Sequence, residues 1–70
     1  MTAYDIAHPT LGTVRVVAHN ATAAVSRYTR DMGFWGYRAP HETDDGWVAD
    51  VVPRKAHSRA VPVTITEVAG

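Results

Sequence analysis

Between Asn20 and Gly33 the apolar residues Ala21, Ala24, Val25, Tyr28 and Met32 return at steps of three and four, and this interval restricts the possible folds more than any other. That spacing puts them on one stripe of an α-helix, with Thr22, Ser26, Arg27, Arg30 and Asp31 on the other side. Asn20 can cap the helix by accepting a hydrogen bond from a following amide, and Gly33 can take the left-handed conformation that ends one. Arg27 and Arg30 complement the C-terminal end of the helix dipole, and Arg27 can pair with Asp31 one turn later. A helix with one apolar stripe must pack on something.

The flanking segments alternate with a period of two, so that something is a sheet. Tyr4 and Ile6 alternate with Asp5, and Val14, Val16 and Ala18 with Arg15. Between these runs, Pro9 and Gly12 suit the loop of an antiparallel hairpin. After Gly33 the segment Phe34-Trp35-Gly36-Tyr37-Arg38 reads as a strand stopped by Ala39-Pro40. His41-Glu42-Thr43-Asp44-Asp45 reads as an acidic loop, and Asp45-Gly46 turns the chain into a strand from Trp47 to Val52. Arg54 to Arg59 reads as a basic loop between Pro53 and Pro62, both of which resist central-strand positions. Val61 to Val68 is the last strand, with Val68-Ala69-Gly70 expected to fray. The predicted order is ββαβββ, an α+β single domain spanning 1–70 with one helix packed on an antiparallel sheet.

Seventy residues bury only about 60% of the surface the unfolded chain exposes, so a domain of this size is marginal. The chain has no cysteine, which removes disulfides and thiolate metal sites as supplements. Self-association is the remaining common aid, and a homodimer is expected. The last strand is expected to lie at a sheet edge, guarded only by Glu67, and to pair across a twofold axis.

Charge is balanced, with seven basic against seven acidic residues, so no net field draws the chain to nucleic acid or membrane. The charges are nevertheless sorted: an acidic run precedes the Trp47–Val52 strand and a basic run follows it. At ~3.3 Å per residue the two lie about 20 Å apart, too far to neutralise each other within one copy. In an antiparallel pairing of two copies, each acidic end meets the other's basic end. No apolar run approaches the ~20 residues of a membrane span, and the N-terminus lacks a signal-peptide pattern, so a soluble, cytoplasmic protein is expected.

No catalytic constellation can be assembled. Ser26 falls on the solvent side of the helix with no glycine elbow, and Ser58 has only the adjacent His57. Asp44 and Asp45 read as a solvated loop rather than an acid–base pair. His8, His19, His41 and His57 are scattered, and His41 with Glu42 and Asp44 is the one local group of mixed metal ligands. Gly33 and Gly36 form GxxG after a helix rather than before one, the wrong place for a phosphate. No enzyme activity, metal or cofactor is expected.

Binding explains the pattern better. Phe34, Trp47 and Tyr28 are assigned to the core, while Trp35 and Tyr37, alternating away from Phe34, are expected to face outward beside Arg38 as an anchor for a protein partner. Arg54, Lys55 and Arg59 are the further partner-contact candidates. The alternative is a small nucleic-acid-binding regulator in which these three cations hold phosphates while Trp35 or Tyr37 stacks on bases. A cysteine-free α+β chain without an enzyme signature, rich in arginine and alanine as in GC-rich genomes, is similar to the small orphan accessory proteins of phages and other mobile elements. That resemblance implies a non-enzymatic protein that binds a host component and blocks or redirects it.

Overall fold

The computed structural model describes residues 1–55 and 58–68. His57, Ala56 and the terminal Ala69-Gly70 lie outside them, and with them the readings placed there. The elements are β1 (Thr2–His8), β2 (Gly12–Ala18), α1 (Ala21–Met32), β3 (Gly36–Tyr37), β4 (His41–Thr43), β5 (Gly46–Val52) and β6 (Val61–Glu67). The sheet is antiparallel and ordered β2-β1-β6-β5-β3, with β4 also paired to β5. Helix α1 touches β2 at one side of the sheet and β3 at the other, so the sheet curls around it as a half-barrel.

The helix forms where its caps predict. The Asn20 side chain accepts from the Ala23 amide at 2.8 Å, and Gly33 takes φ +76° while its amide reaches back to the last turn. Its buried face is Ala21, Ala24, Val25, Tyr28 and Thr29. Thr29 is tolerated there because its hydroxyl donates to the Val25 carbonyl at 2.7 Å. Met32, expected on the stripe, is instead partly exposed beside β2. Against this face pack Tyr4, Ile6, Val16, Ala18, Ala49, Val51, Val63 and Ile65 from the concave side of the sheet.

Three expectations are corrected. First, the order is ββαββββ, because the acidic segment expected as a loop supplies β4. The Asp44-Asp45 turn folds Thr43 back opposite Gly46, so that Glu42 faces Trp47 and His41 faces Val48. Second, the strand expected over 34–38 shrinks to Gly36–Tyr37. Arg38, Ala39 and Pro40 lie opposite only Ala49 and Asp50, one residue too many for regular pairing. This bulge splits one edge strand into β3 and β4, and proline is at home in such a break.

Third, β6 is central, between β1 and β5, so it has no free edge to offer a second copy. Pro62 sits in it without disrupting the ladder. The Asp50 carbonyl accepts from the Arg38 amide on its other side, so the facing pair Asp50 and Pro62 exchanges no hydrogen bond. The missing Pro62 N–H therefore points away from β5, toward the region beyond Ala7, where β1 no longer pairs with β6. Val68 is also tied down, its amide donating to the Ala3 carbonyl at 2.8 Å.

Candidate interaction surfaces

The two edges of the half-barrel differ in how well they resist pairing. The β3/β4 edge is broken by the bulge at Pro40 and carries Arg38, His41 and Glu42, the devices that keep an edge from recruiting another strand. The β2 edge has none of these. It is a regular seven-residue strand without proline or bulge. Its single charged residue, Arg15, is drawn back over β1 by Asp5, with Nε donating to Oδ1 at 3.0 Å and Nη2 to Oδ2 at 3.4 Å.

The register shows which backbone groups β2 leaves free. The Val68 amide donates to the Ala3 carbonyl, so Ala3, Asp5 and Ala7 aim their backbone groups at β6, while Tyr4 and Ile6 aim theirs at β2. Val16 and Val14 answer Tyr4 and Ile6. The N–H and C=O groups of Thr13, Arg15 and Val17 consequently point outward, and among the described residues no strand pairs with them.

A groove of about 260 Å³ runs beside this edge, between Val14–Val17 on one bank and Arg27, Tyr28, Asp31 and Met32 of α1 on the other. Tyr28, a groove-lining residue, is almost wholly buried, and its hydroxyl finds no hydrogen-bond partner among the described residues. Burial pushes its pKa up. Val17 and Met32, also groove-lining, are exposed apolar side chains, and Leu11 at the hairpin tip is another.

The candidates singled out by sequence fall in different places. Trp35 is 73% exposed, whereas Tyr37 packs against the core together with Phe34. Strict alternation fails because Phe34 and Trp35 precede the strand, so Trp35 and Tyr37 do not share an outward face. Arg38 lies over Asp50 at 3.8 Å on the convex side. Arg54 does reach the Trp35 loop: its Nε donates to the Gly33 carbonyl at 3.0 Å, and the Trp35 amide donates to the Val52 carbonyl. Lys55 and Arg59 are exposed. The opposite end of β5 holds the acidic residues, where Glu42, Asp44, Asp45 and Glu67 surround half-buried Trp47 in an open depression. The indole of Trp47 meets the Tyr4 ring edge-on at 5.9 Å.

His8 closes the first hairpin. Its Nδ1 accepts the Thr10 and Leu11 amides, each at 3.1 Å, and its ring stacks on Phe34. Among the described residues, no three His, Asp or Glu side chains converge on a possible metal position. No described helix is long and apolar enough to cross a membrane. The β2 edge is not found by sequence reading, because the even run 12–18 marks a regular strand without marking which side of it stays unpaired.

The hydrogen bond from Arg15 lowers the Asp5 pKa below the ordinary aspartate value. A depressed carboxyl contributes stability above its unfolded value, and that contribution is lost as pH falls through the lowered native value, below about 4. NMR titration of the Asp5 carboxyl should give a midpoint under the ordinary one, returning upward in Arg15→Ala; equal midpoints in both would mean the pair is not formed.

The fold and these surfaces define an α+β domain in which one helix fills an antiparallel half-barrel with one unprotected edge. No family model matches the chain, and no curated protein or solved structure matches it either.

Proposed function

We propose that this protein is a non-enzymatic module that binds other proteins by accepting a strand along the free edge of β2. The observation that carries this reading is the inequality of the two edges: one is bulged and charged, the other regular and open beside a groove. In strand addition the main chain supplies hydrogen bonds, and alternate side chains of the incoming segment enter pockets. Here the pocket is the groove between β2 and α1, with the Tyr28 ring on its wall.

Selection of a displayed random-peptide library against the chain tests the reading. Extended, β-prone peptides should be recovered, and on binding them the Thr13, Arg15 and Val17 amides should gain protection from hydrogen exchange. Peptides that protect residues elsewhere, or no recovered peptides from a chain whose Thr13, Arg15 and Val17 amides exchange freely, would remove it.

A second reading, a small nucleic-acid-binding regulator, is favoured by exposed Trp35 beside Arg54, with Lys55 and Arg59 also exposed. It requires retention on single-stranded DNA or RNA that falls with salt and quenches Trp35 fluorescence. Absence of retention at low salt eliminates it.

A further inference from the structure

We infer that the strand taken up by β2 is β2 of a second copy of this chain, giving a twofold dimer with one continuous antiparallel sheet. The inference rests on the strand-addition reading and names its occupant. Three features of the edge are self-complementary.

The first is register. An antiparallel pair of identical strands must be centred on one residue. Centring on Arg15 sets two guanidinium groups opposite each other, an unfavourable cross-strand pair. Centring on Val14 places the hairpin end, where Gly12 has φ +88°, opposite Val16, within an overlap no longer than the one centred on Val16. Centring on Val16 avoids both. It puts Val16 against Val16 of the partner subunit, Val14 against the partner's Ala18, and Arg15 against the partner's Val17. The outward N–H and C=O groups of Arg15 and Val17 then exchange hydrogen bonds reciprocally.

The second is burial. In that register each exposed Val17 stands on the convex side directly opposite the partner's Arg15, whose charged head is held back on its own Asp5 and leaves the seam to apolar Val17 and the arginine Cβ.

The third is charge. A twofold axis perpendicular to the joined sheet brings both helices to the same face, running antiparallel. The helix face bordering the groove carries Arg27 and Asp31, one turn apart and 3.7 Å from each other, alongside Val14–Val17. Antiparallel copies bring Arg27 of each toward the partner's Asp31. A face with one cation and one anion at this spacing is complementary to its own inverted image, whereas an unrelated partner would need to supply that order.

Sedimentation analysis of the full chain up to millimolar concentration tests this. The wild-type chain should show twice the chain mass. Val17→Pro removes an outward N–H and no β1–β2 ladder bond, so it should give a folded monomer. Arg27→Asp should weaken the dimer by roughly tenfold, and the exchange Arg27→Asp with Asp31→Arg should restore it. The restoration keeps the test decisive should Val17→Pro fail to fold. A monomeric wild-type chain, a dimer that survives Val17→Pro, or an exchange variant as weak as Arg27→Asp overturns the proposal. If the wild-type chain is monomeric yet peptides still bind along β2, the second copy is wrong and strand addition stands; if neither occurs, both fall.

Discussion

Ile65→Ala is expected to remove about half of the chain's stability. Ile65 is 1% exposed and stands in the central strand, directly between Ile6 of β1 and Trp47 of β5. Truncating a fully buried isoleucine costs about 2–5 kcal/mol, from lost transfer energy and the cavity left behind. At roughly 0.05–0.15 kcal/mol per residue, a chain this short has only about 4–10 kcal/mol in total. The strand that carries Ile65 also joins two groups of strands: in the hydrogen-bonded ladder, β1–β2 is linked to β3–β5 through β6. Chemical denaturation should show a midpoint shift of that size or no native baseline. Thr64→Ala, on the opposite face of the same strand and exposed, should stay within about 0.5 kcal/mol of wild type. Similar losses at both positions would mean that β6 is not packed with Ile65 inward.

The second large effect is expected at Gly46. A Cβ at this position would overlap the carbonyl oxygen of Ile65, a backbone atom held in the β5–β6 ladder that cannot rotate away. The backbone there has φ +156°, strained for any L side chain. Gly46→Ala must therefore separate β5 from β6 at the point where β5 also leaves the Asp44-Asp45 turn. A loss of about 2 kcal/mol or more is expected, in line with overpacking plus backbone strain. The β4–β5 hairpin should be the first part affected, visible as faster amide exchange at Val48. Gly36→Ala is the matched control: nothing lies within 4 Å of a Cβ built there, and its φ is not positive. Equal stability of the two variants would show that the close approach at Gly46 relaxes at little cost.

Among the described residues, the convex face of the sheet carries the ion pairs Asp5 with Arg15 and Asp50 with Arg38. Both are solvent-exposed, and exposed pairs contribute little to stability. Their consequence is positional. Asp5 draws Arg15 inward from the very edge that a charge would otherwise guard, which is why the edge is open despite containing an arginine.

Much of the candidate surface was hidden from sequence because the informative comparison is between strands. Trp35 is exposed, as alternation away from Phe34 predicts. Alternation predicts Tyr37 outward together with Trp35, but alternation holds only inside a regular strand, and the strand begins at Gly36, after Trp35. In the acidic segment 41–45 the Asp45-Gly46 turn is legible, but the charge of the residues before it hides that they pair. A two-residue turn returns the preceding residues alongside the strand that follows.

Helix α1 and the β1–β2 hairpin follow from sequence because their determining interactions are local: a cap within three residues, a left-handed glycine, an apolar stripe, and a loop of fixed length. Which strand is central and which is open follows only from the tertiary structure. Every strand offers hydrogen bonds on both sides, so nothing within 61–67 says that β6 will be enclosed, and nothing within 12–18 says that β2 will be left with one side free. That outcome depends on how the helix and the curled sheet close around each other, which buries Ile65 at the centre and leaves Thr13, Arg15 and Val17 at the edge.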